Sequence, residues 1–399
     1  MAAPSASLPT LPRQRPHPFD LPDEYAVLRA EAPISRFIWP NGVEGWLVTR
    51  YEHIRTLLAD NRFSIDRAGN RPPSLAIGRK PVMMPRSLVA MDPPEHTKWR
   101  RLILRDLTPG KARALEPRIE QITREYLARM REQGPPVDLL SALAFPVPSR
   151  IICELLGVPV DDHEFFQRQT HIRSSVASTP DEVDEATIAL TEYLRHIVAE
   201  KLRRPGDDLL SRMGQSTVDG EPVDPEYMVG MGMLLLLAGH ETTASTIGIG
   251  VAHLMGDDAL IGRLRTTAGA ERLVEELLRM HSIIQYGVVR RATEDVEVGG
   301  VRIAAGEWVT CLLASGNRDE SIYQCPHRMD TEQPRVPHLT FGYGVHQCVG
   351  MSLARVELKV VLRELFGQWP DLRPVRPVDE LRYRDDMFVY GLYELPVRW

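Results

Sequence analysis

The stretch from Asp224 to Gly256 constrains the fold more than any other part of the chain. Asp224–Pro225 is a helix-start signal: an acid that can cap, then a proline whose missing N–H costs nothing at the first helical position. Nothing that ends a helix follows until Gly256. At 1.5 Å per residue such a helix spans roughly 45 Å, the length of a whole domain. Its first half contains the twelve-residue apolar run Met228 to Gly239 and is apolar on nearly every side, the pattern of a helix buried all round. Its host must wrap a large body around it, and 399 residues with 43% hydrophobic content are enough to do so. That run falls short of the roughly 20 residues a membrane span needs.

Helices are expected on both sides of it. MDPPEHTKWRRLILRDL reads as a capping-box start, with Asp92 as N-cap, Pro93 at the first position and Glu95 at the third. Apolar periodicity marks 112–132, 138–157, 181–203, 270–281 and 349–366, with a shorter helix over Asp23–Ala32. Gly45–Thr49 reads as a strand. ATEDVEVGGVRIAAGEWVTCLL alternates around Gly299–Gly300 and Ala305–Gly306, which predicts antiparallel strands with tight turns. The C-terminal stretch from Tyr383 also reads as strands. Residues 1–20 form a Pro-rich irregular arm, and the Pro-, Gly- and Arg-rich residues 67–90 a long loop, a type uncommon unless functional or disordered. The expected class is mainly α with a smaller β-rich region.

Composition removes several functions. The net charge of −6 supplies no basic surface for nucleic acid. The four cysteines, Cys153, Cys311, Cys325 and Cys348, form no CxxC pair, so a zinc ribbon or thioredoxin motif is excluded. So few in so long a chain fit a reducing compartment. The N-terminus has no apolar core of a signal peptide, and the expected location is cytoplasmic.

Cys348 differs from the other three. It stands in FGYGVHQCVG, Phe341 to Gly350, just before a periodic helix. A cysteine at a helix N-terminus meets unpaired amides and the positive end of the dipole, which lowers its pKa and favours the thiolate. Gly342, Gly344 and Gly350 allow a tight loop with amides aimed at the sulfur, and His346 adds a donor. Such a thiolate can serve as a nucleophile or as a ligand to a metal or haem.

FGYGVHQCVG resembles the haem-binding loop of the cytochrome P450 monooxygenases, F-G-x-G-x-H-x-C-x-G, at every fixed position, and other family motifs follow in order from about residue 20 to Trp399. The resemblance implies the P450 fold with its long central helix, a single domain over 21–399, and Cys348 as the proximal ligand of haem b. AGHETT, Ala238 to Thr243, puts a polar cluster inside a buried helix, a costly placement. Its threonines can bond the carbonyl four residues back and open the helix locally, and Gly239 lets a ligand approach the backbone. By resemblance Glu241 and Thr242 manage protons at dioxygen. A zinc HExxH reading fails because Ala244 stands where the second histidine belongs. His96 and Arg100 share a helix face, and with Arg290 and His346 they resemble the family's propionate anchors; charge-assisted pairing is the physical reason. Arg291 competes with Arg290, which the R-x-A-T pattern favours. Glu276 and Arg279 resemble the structural E-x-x-R pair. The family's third arginine is replaced by Gln333, with Arg335 two residues on, and Met329 stands where phenylalanine is common.

The resemblance also implies an apolar pocket lined by the 67–90 loop, by Leu234, Leu237 and Ala238, by Ile284 to Val289 (Ile284, Tyr286, Val288 and Val289 foremost), and by Phe388 and Val389. Arg67, Arg71, Arg79 and Arg86 are candidates for meeting an acidic substrate. The substrate expected is a medium-to-large apolar secondary metabolite, free or carrier-bound, that is hydroxylated or epoxidised; ring closure, desaturation or aryl coupling use the same machinery. A non-catalytic haem sensor is the rival class. With no flavin domain, electrons are expected from a ferredoxin and its reductase, for which Lys98, Arg101, Arg105, Lys111 and Arg113 offer a cationic face. Gly342-x-Gly344 is no nucleotide loop, because Gln347 replaces the third glycine.

Overall fold

Asp224 caps the long helix as its sequence requires. Its side chain accepts from the Glu226 amide at 2.9 Å, Pro225 takes the first turn, and the helix runs unbroken over Pro225–Leu254. The protein is seen in a computed structural model that describes residues 8–66, 73, 85–174, 178–334, 336–385 and 387–399. From Met228 onward the central helix is buried over most of its surface. It packs against the helices Pro146–Leu156, Pro180–Arg203 and Met351–Gln368. Their apolar faces form one large core with Glu116–Gln133 and Thr267–Met280.

Two expected helices begin differently. Glu95–Leu104 starts at Glu95, because the Asp92 carboxylate is spent on Ser64 Oγ and on the Ile65 amide (3.0 Å) instead of on the helix's own amides. Residues 138–157 are not one helix. Asp138 caps a π turn, Leu140–Ala144, and Pro146 starts a separate helix, Pro146–Leu156, where a missing N–H is harmless.

The larger sheet has five strands in the order Ile34–Ile38, Glu44–Val48, Trp308–Cys311, Val288–Ala292, Phe63–Ser64. Only the second and third run parallel. Opposite Trp308–Cys311, Val309 faces Arg290 and Thr310 faces Val289, which fixes the direction of both arginines in Val288–Ala292. The Gly299–Gly300 hairpin joins Val296–Val298 to Val301–Ile303, both glycines at positive φ as a two-residue turn demands. From Tyr383 on, strand pairing is sparser than the sequence suggests. Single bridges join Tyr383 to Leu392 and Ile284 to Val389, and among the described residues only Pro396–Arg398 forms a strand. The loop between is held by side chains: Gln285 Nε2 donates to the carbonyls of Arg384 (2.9 Å) and Met387 (2.7 Å).

Residues 8–20 hold no helix or strand yet are packed down. Leu11 is buried, Arg15 lies 3.9 Å over the Tyr390 ring, and Phe19 sits against His253 and His281. Among the described residues no helix is long and apolar enough to cross a membrane.

Candidate active site

Cys348 stands at the end of a tight loop. Its amide donates to Phe341 O (2.9 Å), Gln347 N to Gly344 O (3.0 Å) and Gly342 N to Leu339 O (2.7 Å). Gly342 and Gly344 both take positive φ, and a Cβ on Gly344 would lie 2.2 Å from Leu58 O, so only glycine fits. The helix Met351–Gln368 begins three residues later, and the Gly350 and Met351 amides point at the sulfur. Cys348 is exposed at its surface, with protein packed densely around it. Burial therefore lifts the thiol above its ordinary value, while the two amides, Arg100 and Arg355 pull it back only in part. This corrects the expectation of a lowered pKa. The helix-end amides act with the predicted sign, but desolvation outweighs them, and a cation at the sulfur is what reverses the balance. Arg355 braces the loop by stacking 4.6 Å over Phe341 while holding Glu275 at 2.6 and 3.0 Å. Despite burial, His338 and Arg355 push Glu275 down to about 2.

Four basic side chains converge beside this loop. The His96 and His346 rings lie 4.2 Å apart, and Arg100 donates to Gln347 O. Arg290 is buried on its strand and raises the cost of charging both histidines. Burial first, then Arg290 and His96, push His346 down to about 3; burial and Arg100 lower His96. His96 Nδ1 is buried and has no partner. Arg291 alternates to the other face of the strand, so Arg290 is the arginine that joins this group.

The central helix has one open face. Ala238 is exposed and Leu234, Leu237, Gly239, Glu241 and Thr242 are partly exposed in a helix otherwise buried there. Their three-and-four spacing makes one stripe. Thr242, Thr243 and Thr246 each donate to the carbonyl four residues back (2.7, 3.1 and 2.8 Å) without breaking the helix. Glu241 pairs with Arg384, Nη1 to Oε1 at 3.2 Å. On the far side of Thr243 lies Glu357, fully buried and hydrogen-bonded to the threonine; burial pushes it up to about 8.

These elements occur together in known proteins. The sequence model of the family described as Cytochrome P450 matches residues 270–369. Over nearly the whole chain, Cytochrome P450-SU2 of Streptomyces griseolus is 39% identical, covering 96% of this chain and 94% of that protein. Pentalenic acid synthase of Streptomyces avermitilis is 39% identical over 99% and 98%. The chain belongs to the cytochrome P450 family. The crystal structure of the mycinamicin VIII methyl hydroxylase MycCI from Micromonospora griseorubida, bound to mycinamicin VIII, superposes on this P450 with a TM-score of 0.91 at 36% identity, covering 98% of this chain and 100% of that one. CYP105P1 in complex with filipin I gives 0.89 at 38% identity, over 98% and 99%. This P450 is accordingly an oxidoreductase of the haem-thiolate kind.

The residues present fit that cofactor. A haem carries two carboxylates and an iron: the cluster of His96, Arg100, Arg290 and His346 supplies donors, with one buried histidine nitrogen unsatisfied, and an exposed cysteine beside it supplies a sulfur.

Other predicted residues fall into place or are corrected. Arg279 holds Glu276 at 2.6 and 2.8 Å, both buried. Its remaining donors go to the carbonyls of Asn317, Pro326 and Arg328, and Glu276 accepts from the Asp330 amide. Among the described residues these remaining partners are backbone groups, and Gln333 Nε2 is unpartnered. Met329 packs against the main core. Gly239 is partly exposed on the central helix and also touches the neighbouring one: a Cβ there would meet Ile152 of Pro146–Leu156 at 3.2 Å. Tyr286 is not a pocket residue; it is buried with Leu11, Tyr25 and Phe37 and donates to Asp385 O. Ile284, Val288, Val289, Phe388 and Val389 remain partly exposed beside buried neighbours. Arg86 pairs with Glu95 at 2.6 Å. Arg67, Arg71 and Arg79, most of the 67–90 loop, and Arg335 lie outside the described residues. In the cationic group Lys98 pairs with Asp219 and Lys111 with Asp106, whereas Arg101, Arg105 and Arg113 are exposed and form no salt bridge among the described residues. Sequence reasoning missed Arg384 and Glu357. An acid on the core face of LARVELKVV was the available signal for Glu357.

Proposed function

We propose that this P450 is a cytoplasmic monooxygenase that binds haem b through Cys348 and inserts one oxygen atom from O2 into a C–H or C=C bond of a medium-to-large apolar secondary metabolite. A ferredoxin, loaded by its reductase, supplies two electrons one at a time. The observation that carries the reading is the convergence of four basic side chains on the loop that presents an exposed cysteine.

Haem bound there supplies the activation of dioxygen. The chain's own residues supply the rest. His96, Arg100, Arg290 and His346 hold the propionates. Glu276 and Arg279 pin the helix behind the loop. Thr242, on the open face of the central helix, holds a proton at Oγ1 for delivery into the pocket, and Glu241 resupplies it from one residue away. Leu234, Leu237, Ala238, Ile284, Val288, Val289, Phe388 and Val389 exclude water and seat an apolar substrate. The solved relatives named above hold filipin I and mycinamicin VIII, which supports a bulky ligand here.

Titration of the ferric protein with filipin I, mycinamicin VIII, terpenoids, steroids and peptides tests the substrate class. A low-to-high-spin Soret shift with one apolar class supports it. A shift with small polar compounds alone contradicts it. NADH consumption that yields no oxygenated product from any shifting compound contradicts the monooxygenase reading and favours a sensor.

A further inference from the structure

We infer that Arg384 is a positioning residue of the proton relay, holding the Glu241 carboxylate in place from the C-terminal loop. The inference rests on the reading of Glu241 as the relay acid.

Glu241 lies on the open face of the central helix, and its carboxylate is only 13% exposed. A carboxylate so far withdrawn from water needs a fixed partner. Its one salt bridge among the described residues comes from Arg384, 143 residues further on and 4% exposed. The form of the contact separates it from the scaffold pairs. Arg279–Glu276 and Arg355–Glu275 are forked, two nitrogens on two oxygens. Arg384 touches Glu241 through one nitrogen and one oxygen at 3.2 Å, and its Nε, though buried, has no partner. The second carboxylate oxygen is thus left available to take and give a proton, while the first is fixed. The guanidinium itself is steadied by ring faces of Phe145 and Tyr393, each 5.5 Å away.

The anchor for Arg384 is also the pocket wall. Gln285 clamps the Arg384 and Met387 carbonyls, Tyr390 N donates to Ile283 O (2.7 Å), and Phe388 and Val389 lie between these fastenings. One loop therefore sets both a surface offered to substrate and the place of the relay acid.

The test compares wild type with Arg384→Met, Arg384→Lys, Glu241→Gln and the double variant Arg384→Met/Glu241→Gln, all as holoenzyme. The first readout is the thermal midpoint of the resting ferric protein, which needs no turnover. The second is the solvent deuterium isotope effect on NADH-driven oxygen consumption, with a ferredoxin and its reductase and no organic substrate added. A merely structural arginine moves the first readout and not the second. We expect the Met variant to shift the isotope effect to the value of Glu241→Gln, the double variant to go no further, the Lys variant to return towards wild type, and the midpoints to be non-additive. A wild-type isotope effect in Arg384→Met, with Glu241→Gln shifted, overturns the inference and leaves the relay intact. No shift in Glu241→Gln overturns the relay reading itself, and the inference with it. If Arg384→Met does not accumulate folded, Arg384→Gln is read against the same outcomes.

Discussion

Cys348, Thr242 and the Glu276–Arg279 pair show three different costs at the scale of single residues. The protein packed around the Cys348 sulfur raises its thiol pKa, so its thiolate depends on what it ligates. Thr242 donates its hydroxyl to Ala238 O at 2.7 Å, a bond it must exchange to donate into the pocket. In Thr242→Ala, product per NADH should fall by up to about 10²-fold, the lower end of what a lost proton-transfer group costs, with hydrogen peroxide taking the missing electrons; a peroxide assay beside product quantitation checks this. Arg279 is 4% exposed and satisfied by one carboxylate and three carbonyls. Glu276→Gln should cost roughly 3–5 kcal/mol, because it leaves a buried cation without its charge partner. Denaturant unfolding of the variant is the measurement, and a loss under about 1 kcal/mol, the range of an exposed pair, contradicts it. The Cys348 loop and the E-x-x-R pair were legible in the sequence because each is local. The other partners of Arg279 were not, since carbonyls carry no signature, and Arg384 meets Glu241 only through tertiary folding.

At the scale of elements, helix packing explains both the glycine of AGHETT and the pH response. Gly239 brings the central helix close to Ile152 of the neighbouring helix. Gly239→Val should therefore cost about 1–3 kcal/mol of stability through overpacking, with the substrate-induced spin shift retained when read by Soret titration. Two buried groups set opposite slopes of stability against pH. His253 meets His281 at 3.1 Å beneath Phe19, and burial pushes His253 down to about 4. The unfolded chain binds its proton more readily, so this contribution is whole above the ordinary histidine range and is lost as pH falls towards about 4. Glu357 is the reverse case. Burial lifts it to about 8, so its contribution is whole below the ordinary carboxylate range and is lost as pH rises towards about 8. Glu357→Gln keeps a neutral hydrogen-bonding group beside Thr243 and should raise the thermal midpoint at pH 8 relative to wild type, with the gap closing towards pH 5. Parallel midpoint curves for the two proteins would falsify that account. Helix existence was legible from periodicity over most of the chain. The starts at Glu95 and Pro146 were not, because Asp92 is drawn off by Ser64 and Ile65 from another element.

For the whole molecule, the long apolar helix predicted a body built around it, and its neighbours do enclose it except along one stripe. That stripe carries Glu241 and Thr242. Leu234 and Leu237 lie on it and also pack against the main core, whereas Tyr286 belongs to the cluster that seats the N-terminal segment. No periodicity distinguishes a wall residue from a core residue when both are apolar, which is why the burial of Tyr286 was not legible in the sequence. The central claim is that Cys348 is the haem ligand of this enzyme. The most direct measurement is the absorption spectrum of the reduced, carbon monoxide-treated protein for wild type and Cys348→Ala. The account predicts a thiolate-type Soret band in wild type and its loss in the variant; a thiolate-type band that survives in Cys348→Ala contradicts it.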